Sequence, residues 1–136
     1  MQDKIELVLF CDGACRGNPG PSSAGAALFL KNESDPIKTI SKALGHATNN
    51  EAEYNSLILG LEAAMKAEGS SIKIFMDSEL VVKQIRGQYK VKKEHLRPLH
   101  SRAKKLLDSF PSWEINHIER AKNSLADSLA NKALDG

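Results

Sequence analysis

Apolar and polar positions change their period twice along this chain. Ile5–Cys11 gathers Ile, Leu, Val and Phe into a short run closed by Asp12-Gly13, which predicts a largely buried strand. Gly13–Gly25 carries Gly13, Gly17, Gly20, Gly25, Pro19 and Pro21 and predicts a turn-rich loop. Ala26–Leu30 predicts a second strand, Lys31–Pro36 a polar turn, and Ile37–Leu44 a third strand with imperfect alternation, since Ile40 is out of phase with Ile37. Tyr54, Leu57, Ile58, Leu61, Ala64 and Met65 then fall at helical spacing, with Thr48 and Glu51 forming a T-x-x-E capping box and Gly69 ending the helix. Ser71–Met76 predicts a short strand, and Ser78 caps a helix running to Gln84 or Ile85. Leu96, Leu99, Ala103, Leu106 and Phe110 form another helical stripe, with Pro98 tolerated in its first turn. Trp113–Ile118 predicts a fifth strand. Asn123 or Ser124 caps a last helix with Ala126, Leu129, Ala130 and Ala133 on its apolar face.

The order is β-β-β-α-β-α-α-β-α. It predicts an α/β fold with a mixed five-stranded sheet, three antiparallel strands followed by two strands of β-α-β type, covered by helices. Residues 1–136 are expected to form a single domain, with no internal repeat or linker. Ligands of such sheets gather near the carboxyl ends of the parallel strands. Apolar residues at 41% and charged residues at 26% argue against disorder and coiled coil. The apolar runs fall well short of the ~20 residues that span a bilayer. Met1-Gln2-Asp3-Lys4 leads straight into a strand-like segment without the apolar core of a signal peptide, so a cytoplasmic protein is expected; a monomer is expected as well. Cys11 and Cys15 lack a second Cys/His cluster at zinc spacing and read as incidental thiols.

A net charge of +2 says little, but its distribution says more. Nine of the 19 basic residues lie between Lys83 and Lys105, where Glu94 is the one acid. An excess of that kind suits phosphates better than a solvated helix face, which usually mixes signs through i,i+4 pairs. Four acids stand out by position. Asp12 ends the first strand, Asp77 ends the fourth, Glu53 lies early in the capped helix, and Asp127 lies near the start of the last helix. Singly, each could be a cap or a complement to a helix dipole. Together they can converge, because strands one and four can be neighbours. Clustered carboxylates repel unless a cation holds them. Oxygen-only ligands suit Mg²⁺ or Mn²⁺ rather than zinc. Two such ions can hydrolyse a phosphodiester.

Four segments, in order across residues 5 to 134, carry a resemblance. Asp12-Gly13-Ala14-Cys15-Arg16-Gly17-Asn18-Pro19-Gly20 resembles the D-G-[SA]-x-x-G-N-P-G signature of type 1 ribonuclease H. Thr48-Asn49-Asn50-Glu51-Ala52-Glu53 is similar to that family's T-N-N-x-x-E helix start, and Asp77-Ser78 to its strand-terminal D-S. Asn123-Ser124-Leu125-Ala126-Asp127-Ser128-Leu129-Ala130 resembles its closing N-x-x-A-D-x-L-A. The resemblance implies endonucleolytic hydrolysis of the RNA strand of RNA–DNA hybrids, leaving 5′-phosphate and 3′-hydroxyl ends. It implies a metal site of Asp12, Glu53, Asp77 and Asp127 holding two Mg²⁺ ions, with Mn²⁺ able to substitute. By analogy Asp12 bridges the ions, Asp127 serves the water-activating ion, and Glu53 with Asp77 serves the ion nearer the leaving oxygen. Asn18, Asn49 and Asn50 match positions that contact the minor groove, where 2′-hydroxyls mark RNA, and Thr48 matches one that grips a DNA-strand phosphate. Double-stranded RNA is a further candidate substrate.

Departures from the family pattern shape the remaining expectations. His117-Ile118-Glu119-Arg120-Ala121-Lys122 is shorter than the glycine-rich His loop of many bacterial members and resembles the branch with an H-x-x-R stretch, so Arg120 rather than His117 is expected to assist product release. The segment from Asp77 to Asp127 is too short for the extra basic helix of some members, and Lys90, Lys92, Lys93 and Arg97 are expected to substitute as a substrate grip. Glu79 stands where relatives often carry a minor-groove amide. Two alternatives remain at this point: a nucleic-acid-binding module with an inert site, and another carboxylate nuclease of the same superfamily.

Overall fold

The computed structural model describes residues 4–136; the expectation for Met1-Gln2-Asp3 lies outside the described residues. Five strands, β1 (Glu6–Cys15), β2 (Gly20–Leu30), β3 (Lys38–Ala47), β4 (Ser71–Met76) and β5 (Ser112–His117), form one sheet in the order β3-β2-β1-β4-β5. β2 pairs antiparallel with both β1 and β3, while β4 pairs parallel with both β1 and β5. The helices are α1 (Asn49–Lys66), α2 (Glu79–Ile85), α3 (Arg97–Asp108) and α4 (Ser124–Asp135), with short 3₁₀ turns at Glu94–Leu96 and Arg120–Lys122. The predicted element order and mixed sheet are therefore present.

The central strands bury one face against α1. Leu7, Leu9 and Cys11 of β1 alternate inward and join Ile72, Ile74 and Met76 of β4 in a core with Leu57, Leu61, Leu106 and Leu107. Period-2 burial in the strands meets 3.6-residue burial in the helices, so local pattern and packing agree. On the other face, α4 packs on β2, β1 and β3. Among the described residues, no helix is long and apolar enough to cross a membrane.

Several predicted boundaries shift for physical reasons. The first strand does not stop at Cys11. It continues to Cys15, because Asp12 to Cys15 keep pairing with Gly25 to Ser22. The predicted loop over Gly13–Gly25 shrinks to a turn between β1 and β2. Gly25 is a glycine for packing, not for turning: a Cβ there would collide with the backbone of α4 at Ala126 and Ala130. Gly69 does not end α1 either. The helix closes at Ala67, and Glu68 takes the left-handed conformation at φ 58°. Gly69 is instead small because the Leu7 side chain packs against it.

Asn123 precedes α4 without capping it, as its side chain makes no cap hydrogen bond. Its buried amide donates instead to the Cys11 carbonyl at 2.8 Å, tying the start of α4 to β1. The Ser23 and Ser41 hydroxyls donate to the carbonyls of Ala130 and Leu129, fixing the other side of the same helix. Because α4 seats this closely on β2, Gly25→Ala should destabilise the protein by about 1–3 kcal/mol, the scale of overpacking. Urea unfolding followed by circular dichroism checks this, and an unchanged midpoint would show that α4 does not rest on Gly25.

Candidate active site

Asp12 occupies the point where β1 loses one of its two neighbours. The parallel ladder with β4 ends at Cys11 opposite Met76, and the next residues on the two strands are Asp12 and Asp77. The two carboxylates thus leave the sheet where the parallel ladder between β1 and β4 ends, Asp12 from within β1 and Asp77 just past β4, where a mixed sheet opens its crevice. Glu53 arrives from α1. Gly13 permits this, since a Cβ there would strike the backbone of Ala52 and Glu53. In that close approach the Gly13 N–H donates to Glu53 Oε1 at 3.1 Å. One carboxylate oxygen from each of Asp12, Glu53 and Asp77 lies within 4.8 Å of the others.

The capping explanation fails for two of these acids. Ser78, not Asp77, caps α2 by accepting from the Val81 N–H at 3.3 Å. Thr48 and Glu51 form the full capping box of α1, leaving Glu53 free of that duty. Asp12 and Glu53 are only 4% and 5% exposed, so desolvation dominates their electrostatics. Burial and then the neighbouring Glu53 charge push Asp12 above the ordinary carboxylate range. Burial also raises Glu53, opposed by the neighbouring Asp12 carboxyl and by the Gly13 hydrogen bond. The pair therefore holds a proton at pH values where ordinary carboxylates have lost theirs. Glu53 Oε2 is buried without any hydrogen-bond partner. A buried acceptor of this kind is costly unless something positive meets it. An oxygen-only donor set with one orphaned oxygen fits a hard divalent cation.

Asp127 stands slightly apart. It lies in the first turn of α4, borders the same cavity of about 410 Å³, and receives Arg120 Nη2 at 3.4 Å. It is not in the tight three-carboxylate group, although its side chain contributes to raising the Asp12 pKa. Arg120 is largely exposed and also lines this cavity. Asn49 lines it too, and its N–H donates to Asn18 Oδ1 at 3.0 Å, so the turn after β1 is fastened to the start of α1. Asn50 faces a second groove of about 520 Å³ shared with Tyr89, Lys90, Lys92 and Lys93. His117 ends β5 and is exposed, and Glu79 pairs with Lys83 at 2.7 Å.

The basic stretch divides on inspection. Arg86 donates through Nε and Nη2 to the Ile115 carbonyl, Arg102 pairs with Glu62 at 3.1 Å, and Lys104 sits over the Trp113 ring. Arg97 Nε donates to the Val91 carbonyl at 3.1 Å. Local charge excess thus overstates the surface free for phosphates, because several of these cations hold the fold together. Reading the sequence missed Cys15, Arg16, Ser78 and Asn131 as residues lining the first cavity. Arg16 pairs with Asp135 at the far end of α4, a contact between residues too distant in the chain for any local pattern to mark.

The sheet order and the acids gathered where the parallel ladder of β1 and β4 ends define a ribonuclease H-like domain. A family model described as "Reverse transcriptase-like" matches residues 10–133. The N-terminal RNase H domain of Rv2228c from Mycobacterium tuberculosis, solved as a fusion with maltose binding protein, is 40% identical with a TM-score of 0.94, covering 96% of this chain and 100% of that one. Ribonuclease HI of Halobacterium salinarum is 43% identical over 126 residues, 93% of this chain. LC11-RNase H1, solved in complex with an RNA/DNA hybrid, is 34% identical with a TM-score of 0.88, covering 95% of this chain and 96% of that one. The chain belongs to the ribonuclease H family. It spans 36% of the length of full-length Rv2228c and 63% of the halobacterial enzyme.

The electrostatics of the acid cluster yield a pH prediction for the metal-free protein. Raised carboxylate pKa values mean that the folded state binds more protons than the unfolded chain. This contribution is fully present below about pH 4, the unfolded carboxylate range, and is lost as pH rises through the folded values. In EDTA the melting temperature should therefore fall from mildly acidic to neutral pH, and Asp12→Asn should flatten that fall. Saturating Mn²⁺ should reverse the trend, because it binds the deprotonated site of the folded state. Melts that rise with pH in EDTA, or that ignore Mn²⁺ at neutral pH, would contradict the cluster.

Proposed function

We propose that this chain cleaves the RNA strand of RNA–DNA hybrids endonucleolytically, leaving 5′-phosphate and 3′-hydroxyl ends. The observation that carries the reading is the convergence of Asp12, Glu53 and Asp77 around the unpartnered Glu53 oxygen. Asp12, Glu53, Asp77 and Asp127 would hold two Mg²⁺ ions, with Mn²⁺ able to take their place. Bound there, the ions supply a reactive water at neutral pH and neutralise charge on the departing oxygen. The chain's own groups do the positioning. The Gly13 N–H aims Glu53 inward, so its second oxygen needs no rearrangement to become a ligand. Arg120, exposed and loosely paired with Asp127, can swing between that carboxylate and a product phosphate, which suits a role in release.

Substrate selection falls to neighbouring residues. Asn18, Asn49 and Asn50 flank the start of α1 and offer side-chain amides to minor-groove edges and 2′-hydroxyls. Thr48 has its hydroxyl oxygen engaged as an acceptor from the Glu51 N–H, which leaves the hydroxyl proton for a phosphate. Lys90, Lys92 and Lys93 meet phosphates, with Arg97 as a secondary contributor because its Nε is held by Val91. The LC11 relative in complex with an RNA/DNA hybrid supports this substrate class.

A strand-labelled cleavage assay in Mg²⁺, Mn²⁺ and EDTA tests the proposal. An RNA–DNA hybrid should be cut in its RNA strand alone, DNA duplex should remain uncut, EDTA should stop the reaction, and folded Asp12→Asn should be inactive. Cuts in DNA would favour another carboxylate nuclease, and no cuts in either metal would leave a binding module. Neutralising Lys90, Lys92, Lys93 and Arg97 together should raise KM and flatten the salt dependence of binding, with little change in kcat. A fall in kcat at unchanged KM would show that the segment serves chemistry instead.

A further inference from the structure

Between α2 and the 3₁₀ turn at Glu94–Leu96, the chain passes through a stretch without helix or strand that carries Lys90, Lys92 and Lys93. Such a stretch can present lysines at a defined place only if its backbone is fastened to the body. Its inner fastening is a buried amide. Gln84, only 4% exposed, donates through Nε2 to the Lys90 carbonyl at 3.3 Å. Its Oε1 accepts from the Tyr54 hydroxyl at 2.6 Å. The orientation of this amide is not arbitrary. A carbonyl can only accept, so the nitrogen must face Lys90, and the oxygen is left for the phenol. Tyr54 is fully buried on α1 and follows Glu53 directly in the chain. Further fastenings flank it: Gln88 and Tyr89 donate their N–H groups to the Lys83 carbonyl, the Val91 side chain packs on the core, and Arg97 donates to the Val91 carbonyl.

We infer that Gln84 is a positioning residue for substrate binding, setting the lysine stretch in register with the helix that carries Glu53. The inference rests on the proposed role of Lys90, Lys92 and Lys93 in gripping phosphates. A buried glutamine with both ends of its amide engaged holds a fixed distance where a surface contact would not, because both partners would be left unsatisfied if it moved. Register matters here because lysines meet phosphates as point charges, and a loose segment samples many placements for each productive one. The alternative role for Gln84 is simply to satisfy the Tyr54 hydroxyl in the core.

Paired substitutions separate the two roles. Gln84→Met alone would strand the Tyr54 hydroxyl and destabilise the protein in either case. Tyr54→Phe with Gln84→Met removes both polar partners, so the core is matched again while the Lys90 carbonyl stays unfastened. In the hybrid cleavage assay this double variant should show near-native kcat, KM raised about tenfold, the scale of one lost hydrogen bond, and a shallower salt dependence of binding. Tyr54→Phe alone keeps Gln84 bonded to Lys90 while freeing its other end, and should raise KM by roughly two- to threefold, a fraction of that bond. Native KM and salt dependence in both variants would overturn the inference, leaving Gln84 as a core amide. So would a fall in kcat at unchanged KM. Lys90→Gln, Lys92→Gln and Lys93→Gln combined serve as the reference. If that triple variant binds hybrid normally, the grip assigned to the lysines has failed. If it binds poorly while the double variant binds normally, only the role given to Gln84 has failed.

Discussion

The site depends on how closely α1 approaches β1 at Gly13. Any side chain there would meet the backbone of Ala52 and Glu53, so the absence of a Cβ sets the separation of helix and sheet at one point. That separation lets the Gly13 N–H reach Glu53 and brings the carboxylate to within 4.8 Å of Asp12 and Asp77. A wider spacing would leave Asp12 and Asp77 as two acids on neighbouring strands where their ladder ends, able to hydrate separately. Burial with Glu53 turns them into a group that must share a proton or a cation. The same constraint recurs on the opposite face, where Gly25 admits the backbone of α4 and thereby Asp127. Two glycines in neighbouring strands, paired with Glu53-bearing and Asp127-bearing helices, bring four acids to one cavity.

These glycines also explain what the sequence could and could not reveal. Gly13, Gly20 and Gly25, with Pro19 and Pro21, look like a long loop because glycine and proline usually mark turns. Only the tip of the segment turns. Gly13 and Gly25 are strand residues with another backbone pressed on them, a use of glycine that leaves no local signature. Element order was legible because strand and helix periods differ sharply. The capping box at Thr48 and the cap at Ser78 were legible because capping is local. The C-terminal end of α1 was not, since Glu68 took the left-handed conformation expected of Gly69. Asn123 looked like a cap by residue type, but its amide was committed to Cys11, 112 residues earlier.

The four acids were legible as a set rather than singly, and packing explains why. Each sits where an acid has an ordinary local explanation, and for Asp77 and Glu53 the structure removes that explanation by assigning the caps to Ser78 and Thr48. Asp127 keeps part of it, since it complements the first turn of α4 and pairs with Arg120. This difference separates an inner trio, strongly desolvated at Asp12 and Glu53, from an outer acid with an arginine in reach. An inner trio that repels itself favours cation binding, while the outer acid already has an exposed counter-charge beside it.

Charge count and charge placement part company in the basic stretch. Nine cations within Lys83–Lys105 suggest a broad phosphate-binding surface. Arg86 is spent on the Ile115 carbonyl, Arg102 on Glu62, Lys83 on Glu79 and Tyr89, and Lys104 on the Trp113 ring. What remains near the groove with Asn50 is a cluster of three lysines on a stretch without regular structure. The buried Tyr54–Gln84–Lys90 chain, the Arg97 bond to Val91 and the packing of Val91 on the core fasten that stretch to the body. Losing a structural cation such as Arg86 would therefore disturb the sheet edge at β5, whereas losing one of the exposed lysines would change surface charge without breaking such a contact. The two kinds of basic residue look alike in composition, and only their partners tell them apart.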